Sequence, residues 1–326
     1  MRSALSILSL ALAPCEAYAP SARAKTRLRG LFEAPPDAVL GCPSSKAPLR
    51  REASTLGSQN RALLVSEEGR RYPVNRVYAD LIASSSLDAS GLTPEGLRRE
   101  LQELLSTRTQ TGTFRSPLTA FLYERGWRQN FANAGFPGID KEYAELLHFF
   151  APVASGVVVD MSCGTGLMTR RLVRSEAFGR VIALDYSEAM LRETRRRFAE
   201  ESIPTESLSL CRADVAALPL QNASGLKEIV RVLKPDGRFF ATTFLRGAYG
   251  VPTRQNGGGG SFLFFDGTRD LEERLVAAGF PADGVQVRKE GAGCAVIRAS
   301  MAGKEGLGPE VESSASVIGI GEGVDV

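Results

Sequence analysis

Residues 156–166 read Gly-Val-Val-Val-Asp-Met-Ser-Cys-Gly-Thr-Gly. Three consecutive valines make a run suited to a strand buried on both faces. Asp160 stands at its tip, Gly164 and Gly166 supply a tight turn, and Leu167 to Arg174 continues as a helix. A glycine turn between strand and helix lets a ligand approach the backbone and meet the helix N-terminus, where amide groups lack intrahelical partners. The unit predicts an α/β fold with a ligand at the carboxyl end of a largely parallel sheet.

Two further strands follow. Arg180-Val-Ile-Ala-Leu-Asp185 ends in an acid 19 residues after Gly166, and Leu208-Ser-Leu-Cys-Arg212 runs into Ala213-Asp214-Val215. Three strands in succession, each closing on a carboxylate, bring Asp160, Asp185 and Asp214 to one crevice. Glycine turns of this kind serve NAD, FAD and S-adenosylmethionine alike. A dinucleotide fingerprint requires G-x-G-x-x-G, and its third glycine would fall on Thr169. An acid at the strand tip also repels a pyrophosphate and suits a ligand carrying an ammonium and a sulfonium. S-adenosylmethionine is the expected cofactor. Asp160 is expected to face its methionine ammonium, the turn Ser162, Cys163, Gly164, Thr165 and Gly166 to admit its backbone, Asp185 with Tyr186 to take the ribose, and Asp214 with Val215 the adenine.

Composition removes other classes. The chain has 326 residues, five cysteines without a CxxC pair and one histidine, His148. A disulfide scaffold, a zinc framework, a multi-His metal site and a Ser-His-Asp triad are excluded on these grounds. Lys and Arg number 40 against 37 Asp and Glu, a net charge of +3. The first 30 residues carry Arg2, Arg23, Lys25, Arg27 and Arg29 against Glu16 alone, which is more than the whole excess. The body is therefore near neutrality and offers no basic footprint for nucleic acid.

Those first 30 residues read as an address. Ala4 to Ala13 is an apolar run too short to span a bilayer but suited to the apolar core of a signal peptide, and Ala17-Tyr18-Ala19 offers an A-x-A-like cleavage site. The basic stretch after it has no acid until Glu33. This two-part layout resembles the bipartite plastid presequences of algae with secondary plastids, with secretion or mitochondrial import as alternatives. No other segment reaches membrane-spanning length, so the mature chain is expected to be soluble or peripheral.

The strands and turns quoted above resemble those of the class I S-adenosylmethionine-dependent methyltransferases: VVVDMSCGTG, IALDYSEAML, CRADVAALPL and LKEIVRVLKPDGRFFATTF. More narrowly, FRSPLTAFLYERGWRQNFANAGFPGIDKEY (residues 114–143) is similar to plant and algal chloroplast methyltransferases, of the plastoglobule type, related to the ubiquinone and menaquinone C-methyltransferases. The resemblance covers about residues 40–300. It implies a Rossmann-like sheet in the order 3-2-1-4-5-7-6, methyl transfer from S-adenosylmethionine to a small lipophilic or phenolic acceptor, a plastid location and a peripheral association with lipid. It also suggests five regions: a presequence (1–30), a degenerate zinc-ribbon-like module (31–86), a helical lid (87–150), the cofactor-binding domain (151–303) and a flexible acidic tail (304–326). In the ribbon, Cys42 remains but Ser45 replaces the second thiolate, and a structural zinc needs about four ligands. A metal-free remnant is expected, held by strand pairing around Ala62–Val65 and Arg71–Pro73. In the lid, a helix from Thr93 to Ser106 precedes an aromatic segment in which Tyr123 and Trp127 are the candidates for acceptor or cofactor contacts.

The chain departs from the family in one place. Only Gln221-Asn-Ala-Ser-Gly225 separates Leu220 from Leu226, too little for the fourth strand and its loops. The sheet is thus expected to lack its central strand, leaving groups of strand 1 unpaired at about 1–3 kcal/mol for each one buried without a partner. Three explanations compete: a lost exon, a splice form that is a weak or inert pseudoenzyme, or direct pairing of strand 1 with strand 5. No residue presents itself as a catalytic base. His148, beside Phe149 and Phe150, is expected to serve packing, and the glycine run at 257–260 to be a loop.

Overall fold

The computed structural model describes residues 5–12, 40–43, 45, 47–54, 61–82, 135–213, 225–246 and 265–309. Its frame is one mixed sheet. In chain order the strands are β1 (Leu5–Leu12), β2 (Arg50–Ser54), β3 (Arg61–Val65), β4 (Arg71–Val74), β5 (Ala79–Asp80), β6 (Val157–Met161), β7 (Arg180–Asp185), β8 (Leu208–Arg212), β9 (Arg238–Phe244), β10 (Val285–Glu290) and β11 (Cys294–Ser300). The helices are α1 (Ile139–Phe150), α2 (Leu167–Arg174), α3 (Glu188–Glu200), α4 (Gly225–Val232), α5 (Thr268–Ala278) and the single turn α6 (Lys304–Leu307).

Across the sheet the order is β10-β11-β9-β1-β6-β7-β8-β5-β4-β3-β2. The parallel core β6, β7 and β8 pairs as the valine run and its two successors demand, Val159 opposite Ile182 and Ile182 opposite Ser209. Helices α2 and α3 are the crossovers between these strands, the βαβ arrangement of a Rossmann-like fold. The hairpin β10–β11 closes the far side, turning at Gly291-Ala292-Gly293.

At the fourth position, where the sequence leads one to expect a gap, the structure places β1. This strand runs antiparallel to β6, with Leu8 opposite Met161 and Leu12 opposite Val157, and antiparallel to β9, with Leu8 opposite Ala241. Strands β6 and β9 consequently do not pair with each other. The element that fills the slot is the apolar run read as the core of an address. Six of its eight residues are apolar, a composition that satisfies either use.

Beyond β8 the sheet is extended by the segment read as a ribbon remnant. Strands β2, β3 and β4 form an antiparallel meander, and β5 joins it to the core in parallel with β8, Asp80 opposite Arg212. The expected pairing of Ala62–Val65 with Arg71–Pro73 is present. Cys42 is fully buried with its Sγ 3.2 Å from the Tyr72 hydroxyl, and the Ser45 hydroxyl donates to Glu68 Oε2 at 2.8 Å. Among the described residues no group of three His, Cys, Asp or Glu converges on a metal position.

Each face of the sheet carries its own core. One face holds Val158, Val181, Leu210 and Phe240 against Phe149 and Phe150 of α1, Leu172 of α2 and Phe198 of α3. The other holds Val159, Met161, Ile182 and Phe239 against Leu226 and Ile229 of α4, Leu275 of α5, and Leu49, Leu64 and Tyr72 of the N-terminal meander. Alternation along β9 sends Phe239 to one core and Phe240 to the other, as a central strand requires.

The last part of the expected lid is α1, and it is packed rather than free. Phe136 lies 4.5 Å, centroid to centroid, from Phe244, Tyr143 donates its hydroxyl to the Arg171 carbonyl, and Glu145 takes both terminal nitrogens of Arg288 at 3.0 and 3.1 Å. His148, expected to pack, is exposed in the last turn of α1 while its neighbours Phe149 and Phe150 are buried. No helix among the described residues is long and apolar enough to cross a membrane. The helix expected from Thr93, Tyr123, Trp127, the run at 257–260 and the tail from Glu310 lie outside the described residues.

Phe150 joins α1 to the rest, fully buried with Phe149 at 5.6 Å and Phe178 edge-on at 6.3 Å. Truncation to Ala should lower the unfolding free energy by about 3–5 kcal/mol, the usual cost of a buried phenylalanine, as measured by urea denaturation.

Candidate functional site

The carboxyl ends of β6, β7 and β8 lie side by side because the strands are parallel and in register. After Met161 the chain turns through three left-handed residues at alternate positions, Ser162 (φ 59), Gly164 (φ 57) and Gly166 (φ 77). Only two are glycine, so Ser162 carries a strain of about 1–2 kcal/mol that the turn enforces. The regular two-residue spacing was the signal for this in the sequence, obscured because the first residue has a side chain.

The turn is tied down at several points. Cys163 N–H continues the ladder to the Leu184 carbonyl at 2.9 Å, Gly166 N–H closes on the Cys163 carbonyl, and Arg170 N–H makes the first helical bond to the Gly166 carbonyl at 2.8 Å. Gly166 also has no room for a side chain. A Cβ there would meet Thr194 Cγ2 of α3 at 2.5 Å, while the Thr194 hydroxyl donates to the Gly164 carbonyl at 3.0 Å. Thus α3 grips the turn from the side of the second strand.

Asp185 is the hinge of the arrangement. Its Oδ2 accepts the Gly164 N–H and its Oδ1 the Ser187 N–H, each at 2.8 Å. One carboxylate thereby joins the glycine turn to the tip of β7. Burial raises the Asp185 carboxyl above its ordinary range, and the amide bonds from Ser187, Gly164 and Tyr186 pull against that rise. A carboxylate has about four lone-pair sites, so beyond these three amides the group can take one more donor. A ribose hydroxyl is a donor of that kind, and the residues present fit S-adenosylmethionine in this respect.

Asp160, expected to face the methionine ammonium, is 2% exposed, and its Oδ2 accepts the Thr169 hydroxyl at 2.6 Å. That bond ties the end of β6 to the helix that follows the turn. Thr169 occupies the position that a dinucleotide fingerprint reserves for glycine. Cys163 is also enclosed. Burial, then the charges of Asp185 and Asp160, raise its thiol well above the ordinary cysteine value.

Tyr186 is half-buried at the tip of β7, and the structure reveals what supports it. Arg212 donates its Nε to the Tyr186 carbonyl at 3.1 Å, and its guanidinium carbon lies 5.5 Å from the ring centroid. Arg212 is in turn held by Asp80 of β5, Nη1 to Oδ2 at 3.1 Å. Two residues earlier, Tyr78 donates its hydroxyl to Glu188 at the start of α3. The N-terminal meander therefore braces the site from behind the third strand. Sequence reasoning missed Tyr78 and Asp80. The only signal was a tyrosine and an acid on a short apolar strand, Val77-Tyr78-Ala79-Asp80-Leu81. Asp214 and Val215 lie outside the described residues.

Comparison with known proteins agrees with this geometry. Residues 158–225 match the family model described as a methyltransferase domain. An uncharacterized chloroplastic methyltransferase of Arabidopsis thaliana is 42% identical over 197 residues, covering 54% of this chain and 52% of its own. A second from the same plant is 34% identical over 239 residues, covering 66% and 64%. The ubiquinone/menaquinone biosynthesis C-methyltransferase of Acidiphilium cryptum is more distant, 35% identical over 120 residues, covering 31% and 47%. The chain thus spans between half and two thirds of the length of the first two relatives.

The turn generates a prediction. Ser162→Gly should raise the unfolding free energy by about 1 kcal/mol by removing left-handed strain. Gly166→Ala should lower it by about 2 kcal/mol or more, since strain and the contact with Thr194 act together. Thermal and urea melts of the two variants check both signs. The glycine turn and the strand-tip carboxylate thus lie within the stretch that matches a methyltransferase domain.

Proposed function

We propose that this protein transfers the methyl group of S-adenosylmethionine to a small lipophilic or phenolic acceptor in a plastid. The observation that carries the reading is the Asp185 carboxylate, which accepts one amide from the glycine turn and one from the N-cap of the next helix and has acceptor capacity left for a ribose hydroxyl. The cofactor supplies a methyl already activated by its sulfonium. What remains for the chain is to hold the donor, orient the acceptor and exclude water.

In this reading the backbone of Ser162 to Gly166 lies along the methionine part, Asp185 takes the ribose hydroxyls, and Tyr186, backed by Arg212, covers the sugar. Asp214 and Val215 are assigned to the adenine, and Tyr123 and Trp127 to the acceptor side. Asp160 is assigned a positioning role through Thr169. The plastid location rests on the two Arabidopsis relatives, both named chloroplastic. A peripheral contact with lipid follows from the lipophilic acceptor. The pseudoenzyme alternative loses its main argument, because the central position of the sheet is filled.

Calorimetric titration of the full chain with S-adenosylmethionine tests the cofactor, and methyl transfer from labelled cofactor to a panel of lipophilic phenols and quinols tests the acceptor class. Asp185→Asn should weaken cofactor binding by about tenfold or more, the equivalent of one lost charge-assisted bond. The amide nitrogen would also face one of the two backbone donors. The Asp185 carboxyl lies above its ordinary range, so wild-type affinity should fall as the pH drops through that raised value, and Asp185→Asn should flatten the dependence. Protection from thermal unfolding by NADH and not by S-adenosylmethionine would overturn the reading.

A further inference from the structure

The centre of the sheet holds a strand whose sequence also reads as an address. Strands β6 and β9 both run antiparallel to β1, hence parallel to each other, and they stand one strand apart. Every position of β9 is buried, as are the last four of β6. An empty slot between them would leave two ladders of amide and carbonyl groups inside the core, where water cannot replace the missing partners.

Leu5–Leu12 fits that slot in length and in pattern. It pairs with five consecutive residues of β6, from Leu8 opposite Met161 to Leu12 opposite Val157. Leu8 and Leu10 take the register positions next to Ala241 and Phe239, and next to Met161 and Val159, all four of which belong to one core. Ser9 takes the position next to Asp160, the one acid of β6. The apolar periodicity of the segment thus agrees with the face it would have to serve.

We propose that Leu5–Leu12 is a strand donor to its own domain, and that its use as an address and its use as a strand exclude each other. A chain still unfolded exposes the apolar run to a targeting receptor, whereas a folded chain sequesters it between β6 and β9. Cleavage after Ala19 would open an acceptor slot for an apolar strand, a β-augmentation site at the middle of the sheet.

Two measurements on the full chain test this without reference to the cofactor, so their outcome is separate from that of the proposed activity. Hydrogen exchange should show the amides of residues 5–12 protected to the same degree as those of β6. Exchange of these amides at the rate of an unstructured peptide, with β6 and β9 protected, would overturn the proposal. A protease site placed between Ala19 and Gly30 allows the folded chain to be nicked. The N-terminal fragment should then co-elute with the body in gel filtration and be released only by denaturant, and Leu8→Pro should loosen it. A fragment that separates under native conditions would overturn the proposal equally.

Discussion

A strand at the middle of a sheet must find hydrogen-bond partners along both edges, and β6 is such a strand. One edge is served by β7. The other faces a slot that the connection after β8 is too short to fill in the manner of the family, and β1 fills it. Much else depends on β6 being fixed in this way. The turn at its end sets the start of α2, the register with β7 brings Asp185 beside Gly164, and α3 closes on the turn through Thr194. A site made of backbone and one carboxylate is only as well defined as the strands that carry it.

Backbone amides and one carboxylate also explain why a chain with a single exposed histidine can carry a methyltransferase domain. Methyl transfer from a sulfonium asks for placement more than for proton movement. The contacts around the turn support one another: Asp185 holds Gly164 and Ser187, Thr194 holds the Gly164 carbonyl, and Arg212 holds Tyr186 while Asp80 holds Arg212. The last link reaches outside the parallel core into the N-terminal meander. That meander is therefore part of the site's support as well as an extension of the sheet.

Much of this was legible in the sequence. The valine run, the strand from Arg180 to Asp185 and that from Leu208 to Arg212 coincide with β6, β7 and β8, because buried parallel strands are short apolar runs with little ambiguity. The helix Leu167–Arg174 and the closing hairpin were legible for similar reasons. Three features were not. The role of β1 was hidden because a mostly apolar octapeptide suits a leader and a strand equally. The bond from Asp160 to Thr169 was hidden because a strand-tip acid looks the same whether or not a hydroxyl nine residues on, across the turn, reaches back to it. The support of Tyr186 by Arg212 and Asp80 joins residues far apart in the chain, and no local pattern encodes such a contact.

Among the described residues the eleven-stranded sheet ends on β2 at one side and β10 at the other. Both edges carry charge where it matters. Arg50, Arg51 and Glu52 lie along β2, and Arg288, Lys289 and Glu290 along β10. Charged side chains on an edge strand must give up hydration before another strand can pair there, so they weigh against edge-to-edge association.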